Sequence, residues 1–347
     1  MGFFAGPLEW EQEAWGTGED PANGPRTGWG LEAMRTLVKL GLVATVVVVA
    51  GAVPGSSVDG PKFATAYDLV YSRPGSDELR LDVAYPAEGA GPFPGVVVLY
   101  GGAWRVGNKW GNRPLLAEFA KRGFVAVAPQ YRHCPKDVFP AQIHDVKAAV
   151  RWLRGHAADY KLDVDHIGAM GFSAGGHLAL MLGVTGPDDG LEGDAPPGSP
   201  SSKVQAVVNY FGPSDLTATD VPEVSVNLVR DFLGARNVDR PDLAAKASPV
   251  TYLTRDDAPI LTFHGTRDPL VPPNQSTKLA EAMSRVGVSG RVELLIGAGH
   301  GWTGPEMSRT MDETYDFFEK RLKATPKAGN PERRPAGNQA GPSHASR

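Results

Sequence analysis

Thiols are nearly absent from this 347-residue chain, in which Cys134 is the only cysteine. That excludes an intrachain disulfide and a structural zinc site built on cysteine thiolates. A lone thiol without an evident activator reads as a bystander rather than a nucleophile. Net positive charge is missing too. The formal charge is −4 and the sequence pI about 6.1, with no basic stripe and no interleaving of aromatic and basic residues. A nucleic-acid partner therefore has no electrostatic support. No internal repeat is visible. The apolar run at residues 40–53 (LGLVATVVVVAGAV) has 14 residues, short of the roughly 20 that a membrane-spanning helix needs.

The surroundings of that run carry a different signature. Arg35 and Lys39 precede it, and Ala50-Gly51-Ala52 closes it with small residues at the spacing a signal peptidase favours. Read from Met34, residues 34–52 form a secretory signal peptide. Residues 1–33, rich in glycine and proline and without an apolar period, are then a non-native or disordered leader. Export to the periplasm or the medium is the expectation, with an uncleaved membrane anchor as the alternative; a membrane is a partner only in that case. At the other end, residues 324–347 are polar and rich in Pro and Gly, the composition of a disordered tail.

Between these ends, residues 61–323 are long enough to bury a full core. Two strand-like runs, residues 66–72 and 78–85, flank Arg73-Pro74-Gly75-Ser76-Asp77 and read as an antiparallel hairpin. From there strands and helices alternate. Short apolar runs at 95–100 and 124–128 have the look of strands buried on both faces, and 166–172, 204–211, 260–264 and 292–296 read as further strands. Helical spacing marks 114–122, 141–156, 174–184, 275–286 and 305–323. The pattern predicts an α/β fold: a mostly parallel eight-stranded sheet with helices on both faces and an N-terminal antiparallel hairpin. Ligands bind such sheets beyond the carboxyl ends of the strands. Residues 185–202 read as a loop, and the less regular stretch 214–255 is a candidate cover for the site.

Chemistry concentrates at three strand ends. Gly171-Phe172-Ser173-Ala174-Gly175 is a G-x-S-x-G element, preceded by the strand HIGAM and followed by the helix HLALML. A serine on that tight turn has its hydroxyl exposed, and the Ala174 N–H opens a helix whose N-terminus favours an oxyanion. A serine nucleophile needs a base. Of eight histidines, His300 alone follows a strand (VELLI) through a flexible turn, Gly297-Ala298-Gly299. His144 and His156 lie on a helix, His166 opens a strand at the opposite edge, His177 sits one turn into the helix after Ser173, and His344 is in the tail. His133 has no strand end to aim it. The base in turn needs a carboxylate. Asp268 lies just past the strand APILTF, whereas Asp256 and Asp257 precede that strand and Asp312 lies in a helix. His264 is read as a buried histidine bonding the loop that carries Asp268. Finally, Tyr100-Gly101-Gly102-Ala103-Trp104 follows the strand GVVVL. Its glycines leave the backbone bare, making the N–H groups of Gly102 and Ala103 candidate oxyanion donors beside Ala174.

These residues together resemble the esterase/lipase branch of the α/β-hydrolase superfamily, above all its feruloyl-esterase-like and carboxylesterase-like members. The likeness runs over about residues 67–322 and takes in Pro129-Gln130-Tyr131-Arg132, Phe139-Pro140-Ala141 and Asp145. In relatives that stretch braces the site, so Arg132 and Asp145 are assigned structural roles. One position departs: relatives carry histidine where this chain has Tyr100, and the tyrosine hydroxyl is the expected substitute support for the loop. The resemblance implies an α/β-hydrolase fold and hydrolysis of carboxylic esters through an acyl-enzyme on Ser173. His300 would move the proton, Asp268 would steady the base, and no metal or organic cofactor would be required. The substrate would be a small-molecule or polysaccharide-linked ester, such as an acetyl or feruloyl decoration. A prolyl-oligopeptidase-type peptidase shares the triad order but usually carries a large propeller, for which only about 60 residues are at hand. A non-catalytic binding protein usually lacks a triad member. A lipase would carry an amphipathic lid, which Asp and Pro interrupt in residues 214–233.

Overall fold

Neighbouring residues on the central strands face opposite sides of the sheet, and both sides are filled. The computed structural model describes residues 61–323; the expected leader 1–33, signal segment 34–52 and tail 324–347 lie outside the described residues. In order the elements are β1 (Phe63–Ser72), β2 (Leu79–Pro86), β3 (Phe93–Leu99), a 3-10 turn (Lys109–Asn112), α1 (Arg113–Lys121), β4 (Val125–Pro129), α2 (Ala141–Gly155), α3 (Ala157–Tyr160), β5 (Leu162–Phe172), α4 (Ala174–Val184), β6 (Ala206–Tyr210), α5 (Glu223–Leu233), α6 (Pro241–Lys246), β7 (Ile260–Gly265), α7 (Asn274–Val286), β8 (Gly290–Leu295) and α8 (Gly304–Leu322). In β3, Val96 and Val98 join a cluster with Leu116 and Phe119 of α1 and Phe318 of α8. Val97 and Leu99 join the other, with Ile143 of α2, Leu178 of α4 and Leu279 of α7. Burying each such side chain contributes about 1.5–3 kcal/mol. A continuous apolar run, rather than an alternating one, is what a strand covered on both faces requires.

The eight-stranded sheet has the order β1-β2-β4-β3-β5-β6-β7-β8. β2 is antiparallel to β1 and to β4, and every pair from β4 to β8 is parallel. The chain leaves β3 through α1 towards β4, on one side; it leaves β5 through α4 towards β6, on the other. β3 and β5 are neighbours, with Leu99 opposite Gly171. Connections that diverge from adjacent strands open a crevice between them at their carboxyl ends. The loop after β3 and the turn after β5 meet there.

The expected antiparallel entry, strands and flanking helices are present, with β3 and β4 buried and the edge strand β8 only half-buried. The stretch 214–255 is more ordered than its sequence suggested, for it holds α5 and α6. Pro222 precedes α5 and Gly234 ends it in a left-handed conformation, φ 74°, while Pro241 opens α6. In α5 Ser225, Phe232 and Leu233 are buried, with Val229 packed beside them, one face at helical spacing.

Two buried lysines pin loops to this frame. The side chain of Lys147, on α2, is fully buried and holds Glu192 at 2.6 Å, fixing the 185–202 loop together with Arg151. Lys109, also fully buried, lies 2.5 Å from Asp82 of β2 and 2.5 Å from Asp68, while Arg113 reaches Asp82 at 2.7 Å. Burial works against ionisation of Asp82, but the bonds from Arg113 and Lys109 outweigh it and hold the carboxyl below its ordinary range. Removing one partner of a buried pair strands the other charge in low dielectric. Asp82→Ala should therefore lower the unfolding free energy by about 3–5 kcal/mol in a urea titration. Asp68→Ala should cost less, because Asp82 still holds Lys109. Equal, small losses from the two variants would contradict this account.

Candidate active site

The turn between β5 and α4 is too tight for side chains on two of its residues. A Cβ on Gly171 would sit 2.2 Å from the Gly175 carbonyl oxygen, and one on Gly175 would sit 2.3 Å from that of Leu99. Ser173 takes the strain of the turn, with φ 54° and ψ −120°, a region that costs about 1–3 kcal/mol for a residue with a Cβ. Its N–H donates to the Tyr210 carbonyl at 2.8 Å, and its hydroxyl projects from the end of the sheet.

The three residues predicted to act together do meet. His300 Nε2 is 2.9 Å from Ser173 Oγ, and His300 Nδ1 is 2.7 Å from Asp268 Oδ2. A carboxylate accepts, so Nδ1 carries the hydrogen and Nε2 is left to accept from the serine hydroxyl. Asp268 Oδ1 accepts the N–H groups of Leu270 and Val271 at 2.8 and 2.9 Å. Burial opposes its charge, but hydrogen bonds from His264 and His300 outweigh that and hold the carboxyl well below the usual carboxylate range. It therefore stays ionised at neutral pH. His264 behaves as expected of it: buried at the end of β7, it has Nε2 2.9 Å from the Val271 carbonyl and 3.3 Å from Asp268, and Nδ1 2.6 Å from Ser276 Oγ.

The loop after β3 lies against the serine. A Cβ on Gly101 would come within 3.2 Å of the Ser173 Cβ. Gly102, Ala103 and Trp104 all have positive φ, at 121°, 52° and 57°, and the turn closes through the N–H groups of Arg105 and Val106 onto the Gly102 carbonyl. Among the described residues, the N–H groups of Gly102 and Ala103 meet no acceptor. The Ala174 N–H opens α4, where the helix supplies none. Tyr100 supports the loop through a pair of rings. It stacks on Tyr131 at 4.3 Å, its hydroxyl accepts the Tyr131 N–H at 3.2 Å and lies 3.2 Å from His133 Nε2, and the Tyr131 hydroxyl donates to the Tyr100 carbonyl at 2.9 Å. Arg132 grips Asp145 from Nε and Nη2, consistent with a brace.

One neighbour, Phe211, carries no sequence signal. Phe211, buried after β6 with φ 44°, packs its ring 4.7 Å from that of His300 and 5.4 Å from that of Trp302. His177 is fully buried: its Nδ1 lies 3.2 Å from the Trp104 indole nitrogen and its Nε2 2.8 Å from the Ala247 carbonyl. Trp104 also stacks on Phe232 of α5 at 4.2 Å, so α5 covers the loop. Burial pushes the Cys134 thiol up to about 12, which leaves it a poor nucleophile. A cavity of about 450 Å³ lies behind Tyr100, lined among others by Gly107, Tyr131, His133 and Lys136; Ser173 and His300 are not in its wall. Among the described residues no cluster of three or more His, Cys, Asp or Glu is placed to hold a metal, and no helix is long and apolar enough to cross a membrane.

A mostly parallel sheet with its crevice at this switch point is the architecture of the α/β-hydrolases. The chain belongs to the BD-FAE family, whose model matches residues 81–283, within the esterase/lipase branch that its motifs resemble. Esterase LipQ of Mycobacterium tuberculosis is 34% identical over 232 residues, which cover 64% of this chain and 53% of that protein. The chain spans about half the length of the curated relatives it matches. Among solved structures, a truncated carbohydrate esterase from gut microbiota superimposes with TM-score 0.64 at 28% identity, covering 78% of this chain and 100% of that one. Thermogutta terrifontis esterase 2, solved phosphonylated by sarin, does so with TM-score 0.65 at 28% identity, covering 77% and 98%.

The His177 contacts also make stability depend on pH. Burial lowers its imidazole from 6.5 to about 4, against a smaller opposing effect of the bond to Ala247. Between those values the unfolded chain binds a proton that the folded chain refuses, so stability falls as pH drops through the interval. The loss from this group is about 3 kcal/mol. Urea unfolding across that range should show wild type losing more stability than His177→Leu. Parallel losses would mean that His177 is not held neutral.

Proposed function

We propose that this chain is a serine carboxylic-ester hydrolase acting through an acyl-enzyme on short-acyl or aryl esters. The observation that carries the reading is the unbroken relay from Ser173 through His300 to Asp268, at 2.9 and 2.7 Å. Ser173 Oγ attacks the carbonyl carbon while its proton passes to His300 Nε2, and the Asp268 carboxylate stabilises the resulting imidazolium. Charge gathers on the carbonyl oxygen, where the N–H groups of Gly102, Ala103 and Ala174 receive it. Losing one such donor costs about 3–4 kcal/mol of transition-state stabilisation. The bond to the leaving alcohol then breaks as that oxygen takes the proton from His300. Water attacks the acyl-enzyme with His300 again as base, releasing the acid and restoring Ser173. No step calls for a metal or an organic cofactor.

Kinship with esterases supports the reaction class, and kinship with a protein described as a carbohydrate esterase supports acetyl or feruloyl groups of polysaccharides as the substrate class. The signal-like segment at residues 34–52 supports an exported enzyme, which would meet such polymers outside the cell. The net charge of −4 gives no support to a nucleic-acid partner. Hydrolysis of p-nitrophenyl esters from acetate to palmitate tests the reaction. Short chains should be turned over fastest, and Ser173→Ala should reduce kcat by roughly 10⁴- to 10⁶-fold. Equal rates in the two proteins, or none in either with the fold intact, would refute the assignment.

A further inference from the structure

We propose that Trp104 and His177 form a positioning pair that locks the loop carrying the oxyanion donors to the helix carrying the nucleophile. This rests on the ester-hydrolase reading above and extends it to two residues outside the Ser173–His300–Asp268 relay. Ala103 and Trp104 are consecutive non-glycine residues at φ 52° and 57°. A backbone held so far from its usual basins persists only where side chains over-determine it. Ala103 has only a methyl group to offer, so the anchor is Trp104.

The anchor is specific. Trp104 is 4% exposed, and the indole N–H is a donor with no capacity to accept. It points at His177 Nδ1, 3.2 Å away. His177 Nε2 lies 2.8 Å from the Ala247 carbonyl, which can only accept, so Nε2 carries the hydrogen and Nδ1 presents its lone pair to the indole. The His177 N–H donates to the Ser173 carbonyl at 3.0 Å. His177 therefore sits one helical turn past the nucleophile and shares its backbone. Phe232 of α5 closes the assembly, stacked on Trp104 at 4.2 Å and edge-on to His177 at 5.5 Å. One buried hydrogen bond thus joins the segment of Gly102 and Ala103 to the helix that starts at Ser173.

Donors act on charge that develops only in the transition state, so a loosened loop lowers kcat and spares KM. A misplacement of about 1 Å can cost about 100-fold in rate. Trp104→Phe keeps a ring against Phe232 and removes the N–H; it should lower kcat for p-nitrophenyl acetate about 10- to 100-fold with KM changed less than about threefold. Rates are taken per active site, counted with a fluorophosphonate, so unfolded protein does not enter. His177→Leu should match that loss, and His177→Asn, which restores an acceptor near Nδ1, should recover part of it. In the Trp104→Phe background His177→Leu should add little, because the bond is already gone. Ser173→Ala, assayed in parallel, separates the two claims. If wild-type hydrolysis depends on Ser173 yet Trp104→Phe keeps its kcat, or the two single losses simply multiply, the positioning pair is overturned alone. If wild type shows no Ser173-dependent hydrolysis, the ester-hydrolase reading falls and the pair falls with it.

Discussion

The site depends on how closely the start of α4 approaches β3 and β5. Ser173 reaches the crevice because the turn beneath it is compressed until Gly171 and Gly175 have no room for a Cβ. The same compression brings the backbone after β3 within reach, with Gly101 against Ser173 and bare amides at Gly102 and Ala103 beyond it. Strain at Ser173, Ala103 and Trp104 is the local cost, and the large apolar layers on both faces of the sheet carry it. The placing of Ser173 against the amides of Gly102 and Ala103 is therefore set by backbone packing. In the proposed reaction these groups are preorganised, and donors fixed in advance are usually the largest single contribution to rate in acyl transfer.

Charge is handled with equal economy. Asp268 is buried, yet two backbone N–H groups and two imidazoles surround it, so the carboxylate persists where an unpartnered one would take up a proton. Its charge is what fixes the tautomer of His300. Farther out, Lys109 and Lys147 are buried against carboxylates in pairs that tie the 3-10 turn to the sheet and the 185–202 loop to α2. These pairs act as registry devices for loops that the apolar core alone would not place.

Much of this was legible in the sequence because it is local. Apolar runs such as GVVVLY and HIGAM are strands buried on both faces, and the strand-then-helix context of G-x-S-x-G identifies the turn that exposes Ser173. His300 and Asp268 followed from one rule, that a polar side chain just past a parallel strand points into the crevice. The contacts that escaped notice are long-range. Trp104 and His177 are 73 residues apart in sequence, and no spacing rule joins them. The positive φ of Phe211 leaves no mark in composition. Tyr100, where the resemblance implies a histidine, is expected to support the loop through its hydroxyl, which accepts the Tyr131 N–H. What no spacing rule foresees is the partner, Tyr131, whose ring stacks on Tyr100 and whose hydroxyl donates to its carbonyl.

The central claim is that Ser173 is an activated nucleophile, poised by His300 and Asp268 without substrate. Reaction with a fluorophosphonate followed by peptide mapping tests it most directly, since the reagent needs the nucleophile and the oxyanion donors but no particular ester pocket. The account predicts one adduct per chain, on the peptide containing Ser173, with labelling slowed by orders of magnitude in His300→Ala. An unlabelled folded chain, or an adduct on another residue, would contradict it.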